Sequence, residues 1–196
     1  MKDKKLLSDI KEYLKCYEDQ VLEDWYELIR HISVSETGEG IETCCDWIQK
    51  KMEEIGIQVT KYSVKPAPVL VGRFGNDPEK KTVLIYAHYD VKPAGERKLW
   101  HSDPFVPTVR DGKVYARGSA DNKSPLMAHL KALEYFIRRK MEVPVNVIFV
   151  FEGDEECGSR GLEEFLAEHR TELAADLVFF SDGPKDPSGL PIIALG

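Results

Sequence analysis

The sequence predicts an α/β fold, a mixed, largely parallel sheet with helices on both faces. Three observations lead there. Residues 145–151 hold Val145, Val147, Ile148, Phe149, Val150 and Phe151, an almost unbroken β-branched and aromatic run. Such a run suits a strand buried on both faces rather than one with a wet side. Two more apolar runs of strand length, residues 82–87 and 177–180, lie before and after it, and segments with helical periodicity alternate with all three.

Taken in order, Leu6, Ile10, Leu14, Tyr17 and Val21 recur at helical spacing, and Trp25, Leu28 and Ile29 continue the stripe. This predicts one long helix or two in succession, ending near His31. Gly38 and Gly40 mark a loop, and Ile41, Cys45, Ile48, Met52 and Ile55 form the buried stripe of a second helix closed by Gly56. Residues 57–64 and 69–74 read as strands, with Pro66 and Pro68 breaking between them. After a turn at residues 75–78, the run at 82–87 ends directly on His88 and Asp90.

Residues 92–112 form a long loop punctuated by Pro and Gly, and a loop of that length in a domain tends to be functional. His101 within it reads as a surface residue. A short strand at residues 113–116 leads to Asp121, and Ser124-Pro125 reads as a helix start, with Ser as the cap and Pro in the first turn. Leu126, Leu130, Leu133 and Ile137 form that helix's buried face, and His129 beside them reads as a packed or exposed helix residue. Residues 158–170 suggest another helix with Leu162, Phe165 and Leu166 inward. A last strand is expected at 192–195.

Composition narrows the function. A chain of 196 residues can bury a full core, and its 42% apolar and 31% charged residues are ordinary for a globular protein. The net charge of −7, with no basic run, argues against nucleic acid or an anionic membrane as partner. No apolar run approaches the ~20 residues of a membrane helix, and the charged amino terminus lacks a signal-peptide core. Cys16, Cys44, Cys45 and Cys157 form no CxxC pair and read as reduced thiols of a cytoplasmic protein. Cys157 has no His near it in sequence to activate it as a nucleophile.

The chemistry gathers at strand ends. Glu152, Asp154, Glu155 and Glu156 follow the run at 145–151, and Asp182 follows the run at 177–180. A cluster of acids is by itself compatible with a solvated turn. If the three strands are parallel neighbours, however, His88, Asp90, Asp121, Glu155, Glu156 and Asp182 meet at one sheet edge, where open α/β sheets place their sites. One imidazole among carboxylates is a mixed nitrogen and oxygen set suited to Zn, Mn or Co. Clustered carboxylates also repel one another unless cations lie between them, which argues for more than one metal. Residues two apart in extended chain face the same side, so Asp90 can orient the His88 ring.

Three segments together resemble a known family. They are residues 86–91 (Tyr-Ala-His-Tyr-Asp-Val), 115–123 (Tyr-Ala-Arg-Gly-Ser-Ala-Asp-Asn-Lys) and 151–159 (Phe-Glu-Gly-Asp-Glu-Glu-Cys-Gly-Ser). They look like those of the dinuclear zinc peptidases, which include carnosinase-type dipeptidases, glutamate carboxypeptidase, aminoacylase and succinyl-diaminopimelate desuccinylase. The loop from Trp100 to Phe105 and the Ser33-Val34-Ser35 segment fit as well, and the likeness runs from about Val21 onward. Tyr89, Val91 and the Asp121-Asn122-Lys123 run point to the dipeptidase branch. Ser124 and Ala116 stand where many members have Gly; neither position is a ligand.

The resemblance implies a zinc-exopeptidase-like catalytic domain hydrolysing a peptide bond in dipeptides or short peptides. It implies that Asp121 bridges two metal ions, that His88 and Asp182 complete one and Glu156 binds the other, that Glu155 is the general base and that Asp90 orients His88. The ions would be zinc first, with manganese or cobalt possible. The family takes one more His for its second metal from a far carboxyl-terminal portion, beyond an inserted dimerisation domain. Residues 1–196 are therefore expected to be the amino-terminal part of a longer homodimeric enzyme, inactive alone. An N-acyl amino acid deacylase of the same family and a non-catalytic metal-binding half-domain stay open at this point.

Overall fold

The computed structural model describes residues 2–183 and 188, among which the stripes and runs become four helices and seven strands. Helix α1 (Lys2–Arg30) is continuous, which decides between one helix and two. Helix α2 (Ile41–Glu54) buries Ile41, Cys44, Cys45, Ile48 and Met52. Gly40 enters it with φ 72°, and a Cβ there would stand 2.0 Å from the Ile32 carbonyl oxygen, so the turn requires glycine.

Strands β1 (Gln58–Tyr62), β2 (Val69–Phe74) and β3 (Thr82–His88) follow, then a small hairpin of β4 (Thr108–Arg110) and β5 (Lys113–Tyr115). Helix α3 (Lys123–Arg138), β6 (Asn146–Glu152), α4 (Leu162–Glu168) and β7 (Leu177–Phe180) complete the series. The main sheet has the order β1-β2-β6-β3-β7. β3 runs parallel to β6 on one side and to β7 on the other, whereas β1 and β2 join antiparallel. The sheet is mixed, as the sequence suggests.

β6 shows why its run had to be apolar throughout. Val147, Phe149 and Phe151 enter a core with Leu28 of α1, Ile48 and Met52 of α2 and Leu126 and Leu130 of α3. Ile148 and Val150 enter a second core on the opposite face with Val69, Val71, Leu84 and Phe165 of α4. Phe149 is wholly buried, and truncating it to Ala would cost about 3–5 kcal/mol. The chain reaches β6 through α3 and returns past β3 to β7 through α4, so the crossovers diverge around the carboxyl end of β3. That end is where such sheets leave a crevice.

Several expectations are corrected. The segment 92–112 is not wholly irregular, because it holds a 3₁₀ turn at Arg97–Leu99 and strand β4. The hairpin strands are only three residues each, too short to show a period. Helix α3 starts at Lys123, with Asn122 in the cap position and no side-chain cap bond, so Ser124 lies inside the helix. Burial of Lys123 sets that start: its ammonium donates to the carbonyls of Leu28 (3.1 Å) and His31 (2.6 Å) at the end of α1. Helix α4 covers less than 158–170 because Gly158 (φ 91°) and Gly161 (φ 112°) hold left-handed backbone before it, and Leu166 faces outward. All four residues of β7 are exposed. The strand expected at 192–195 lies outside the described residues.

Candidate metal centre

β3 delivers His88 to the crevice fully buried. Its Nδ1 lies 3.1 Å from the Asp90 carbonyl oxygen and 3.3 Å from Asp90 Oδ1. Two acceptors on that side hold a proton on Nδ1 and turn Nε2, the atom a cation would take, toward the crevice. Nε2 is buried and makes no hydrogen bond. Around it stand carboxylate oxygens of Asp121 at 3.1 Å, Asp182 at 3.3 Å and Glu155 at 3.7 Å. One donor atom each from His88, Asp121 and Asp182 lie within 4.8 Å of one another, a group that could hold a metal ion.

The electrostatics agree with the geometry. Burial lowers the pKa of His88, but Asp90, Glu155 and Asp121 outweigh it and push the ring up to about 9. A pocket that draws positive charge onto a buried imidazole suits a cation. The mixed nitrogen and oxygen donors fit zinc, manganese or cobalt better than calcium.

Asp90 organises more than the ring. It is fully buried; Oδ1 accepts the Glu155 N–H at 3.2 Å and Oδ2 accepts the Glu156 N–H at 3.0 Å. Burial would raise its pKa, but hydrogen bonds with His88, Ser35 and the Glu156 amide hold it below the ordinary value. The chain around it is pinned by Ser33, whose hydroxyl donates to the Tyr89 carbonyl at 2.6 Å and whose carbonyl accepts the Val91 N–H at 2.8 Å. One carboxylate thus ties the end of β3 to the acidic loop after β6.

That loop is no solvated turn. Glu152 is buried and accepts hydrogen bonds from Tyr86 Oη at 2.5 Å and Ser159 Oγ at 2.7 Å. Asp154 is buried in a two-pronged pair with Arg160, at 2.9 Å to Nε and 2.7 Å to Nη2. Gly153 lets the strand end press against Tyr89, whose ring would lie 2.5 Å from any Cβ there. Glu155 alone of the four reaches the His88 cluster. Burial raises its pKa, with Glu156 and Asp182 adding to the rise and His88 opposing it. The Glu156 Oε2 pairs with Lys92 Nζ at 2.9 Å, and Asp121 and Glu155 act on the same ammonium.

The structure therefore brings His88, Asp90, Asp121, Glu155 and Asp182 together, with the Glu156 carboxylate beside Glu155 and paired to Lys92. Lys92 was missed in the sequence, although its place two residues after Asp90 puts it on the same side of an extended chain. Ser35 was flagged in the sequence only within the Ser33-Val34-Ser35 segment that fits the resemblance, with no role attached. His101 is exposed, and Cys157 Sγ contacts Ser35 Oγ at 3.5 Å. His129 does not point at the cluster; its Nε2 meets Ser181 Oγ at 2.7 Å.

Comparison with known proteins bears on this arrangement. The model of the family described as Peptidase family M20/M25/M40 matches residues 84–193. A Cys-Gly metallodipeptidase of Schizosaccharomyces pombe is 43% identical over 147 residues, covering 70% of this chain and 31% of that protein. The crystal structure of human carnosine dipeptidase 1 superposes with a TM-score of 0.86 at 30% identity, over 90% of this chain and 41% of that one. An M20 family metallo-carboxypeptidase from Sulfolobus solfataricus gives a TM-score of 0.82 at 36% identity, over 86% and 38%. The chain spans roughly a third of the length of the curated relatives it matches. The matched segment runs from β3 past Asp182 and takes in every crevice residue named above except the Ser33–Ser35 anchor, and the chain belongs to peptidase family M20/M25/M40.

Proposed function

We propose that this chain carries the metal-binding and proton-transfer groups of a metal-dependent hydrolase that cleaves the peptide bond of dipeptides or short peptides. The observation that carries the reading is the buried, hydrogen-bond-free Nε2 of His88, facing Asp121, Asp182 and Glu155. A ring nitrogen buried without a hydrogen-bond partner costs free energy unless something binds it, and a cation there would take the place of the proton that the surrounding carboxylates draw onto the ring. The names of the relatives, a metallodipeptidase and a carnosine dipeptidase, support the substrate class.

In this reading His88, Asp121 and Asp182 hold one divalent cation, and Asp121 with Glu156 contributes to a second. Zinc is the first choice, manganese and cobalt the alternatives. Such cations would make water a nucleophile at neutral pH and polarise the scissile carbonyl. Glu155 takes the water's proton and returns it to the amine nitrogen as the C–N bond breaks. Asp90 keeps the His88 proton on Nδ1, so that Nε2 stays available. Glu152 and Asp154 touch no substrate; they shape the loop that presents Glu155.

We assign turnover, and the homodimer the family resemblance implies, to a longer polypeptide of which this chain is the amino-terminal part. The free thiols of Cys16, Cys44, Cys45 and Cys157 support a cytoplasmic setting. No helix among the described residues is long and apolar enough to cross a membrane. The test is hydrolysis by that longer polypeptide, stripped with a chelator and reloaded with Zn²⁺, Mn²⁺ or Co²⁺. Dipeptides should be cleaved only after reloading. Cleavage of N-acetyl amino acids in preference to dipeptides would make it a deacylase, and chelator-resistant cleavage would remove the metal altogether.

A further inference from the structure

Asp182 is held differently from the other groups in the crevice. His88 ends a strand paired on both sides, but Asp182 lies beyond the last pair of its ladder, Tyr86 with Phe180. Among the described residues the strand leading to it is at the edge of the sheet, and its Leu177, Val178, Phe179 and Phe180 are all about half exposed or more. Backbone pairing therefore does not fix where Asp182 points. Two side-chain contacts reach the residue just before it. His129 of α3 meets Ser181 Oγ through Nε2 at 2.7 Å, and Asn122 Nδ2 donates to the Ser181 carbonyl at 3.1 Å. The His129 ring also stands edge-on to Phe179, with ring centres 5.4 Å apart. Asn122 follows Asp121 directly, so its bond ties the Asp121 loop to the Asp182 segment.

We propose that His129 is a positioning residue of the metal centre: through Ser181 it docks the free end of β7 on α3 and so fixes Asp182 beside His88 and Asp121. It acts without touching the ion. Its Nε2 is engaged by Ser181, and burial keeps the ring neutral and able to share that hydrogen bond. The proposal rests on the reading of Asp182 as a ligand. A partner behind a ligand typically contributes 10–100-fold to metal affinity.

The experiment compares the 196-residue protein with His129→Leu, Ser181→Ala, the double variant and His129→Gln. Zn²⁺ affinity is read by competition with a chromophoric chelator, and the zinc-free unfolding midpoint is read beside it. The expected result is a loss of about 10–100-fold in both single variants. The double variant should be no weaker than the weaker single one, since both remove one contact. His129→Gln, whose amide can reach Ser181 Oγ, should recover affinity to within a few-fold of wild type. Unchanged affinity in His129→Leu, or losses that multiply in the double variant, would overturn the proposal. So would tighter binding in Ser181→Ala, because it would mean that the released His129 is a ligand. A metal-independent arm separates the two claims: the His129 ring ¹⁵N shifts of the zinc-free protein should change on Ser181→Ala. If they change while the wild type binds no zinc, the docking contact stands and the metal reading fails, taking the positioning role with it.

Discussion

The two sides of the crevice are built differently. On one side, His88, Asp121 and Asp182 come from the end of β3, the entry to α3 and the end of β7, and their donor atoms already lie within 4.8 Å of one another. On the other, Glu156 is held through its backbone by Asp90, but its carboxylate is taken by Lys92 at 2.9 Å. Under the proposed function the first side is ready for a cation, while the second must give up an ion pair to receive one. Strand register places one of these ligands, His88, before any metal arrives. A loop carboxylate beside an exposed lysine pairs with that charge until a cation displaces it.

Substitutions can break or sharpen that contrast. The largest effect should come from Glu155→Gln, which under the proposed function removes the base and leaves the binding on both sides in place. In a longer polypeptide that turns over dipeptides, kcat should fall about 10²–10⁴-fold, with metal content by elemental analysis near wild type. Activity within a few-fold of wild type, or loss of the metals, would take the base role from Glu155.

Asp121→Ala should come next, because under the proposed function it alone serves both sides. After dialysis it should retain less metal than His88→Ala, Asp182→Ala or Glu156→Ala. If Asp121→Ala kept both ions while His88→Ala lost them, Asp121 is not shared.

Lys92→Met gives the smallest effect and bears on the weaker side alone. Lys92 is mostly exposed, and exposed pairs contribute about 0–1 kcal/mol. The second Zn²⁺ affinity should therefore rise by about two- to fivefold, with the first unchanged. A rise in the first affinity would place Lys92 against the His88 side instead.

The same contrast governs what the sequence could disclose. The runs of β3 and β6 are legible because a strand covered on both faces must be apolar at every position, and His88 is legible because it ends such a strand. The division of labour in the acidic loop is not. Glu152 and Asp154 carry the same charge as Glu155, and only their partners Tyr86, Ser159 and Arg160 set them apart. The start of α3 misleads for a related reason, since Ser124-Pro125 is a good local signal overridden by the buried Lys123. His129 looks like any half-buried helix residue until β7 is laid beside it.

The central claim, one prepared cation site beside one unprepared, is tested most directly by calorimetric titration of Zn²⁺ into the metal-free 196-residue protein, with dipeptide hydrolysis followed in the same sample. The expected result is one tight equivalent, lost in His88→Ala, a second weak one, and no turnover. Two tight equivalents with turnover would contradict it, because Glu156 would then hold its ion despite Lys92 and without a further imidazole; no tight equivalent at all would contradict it from the other side.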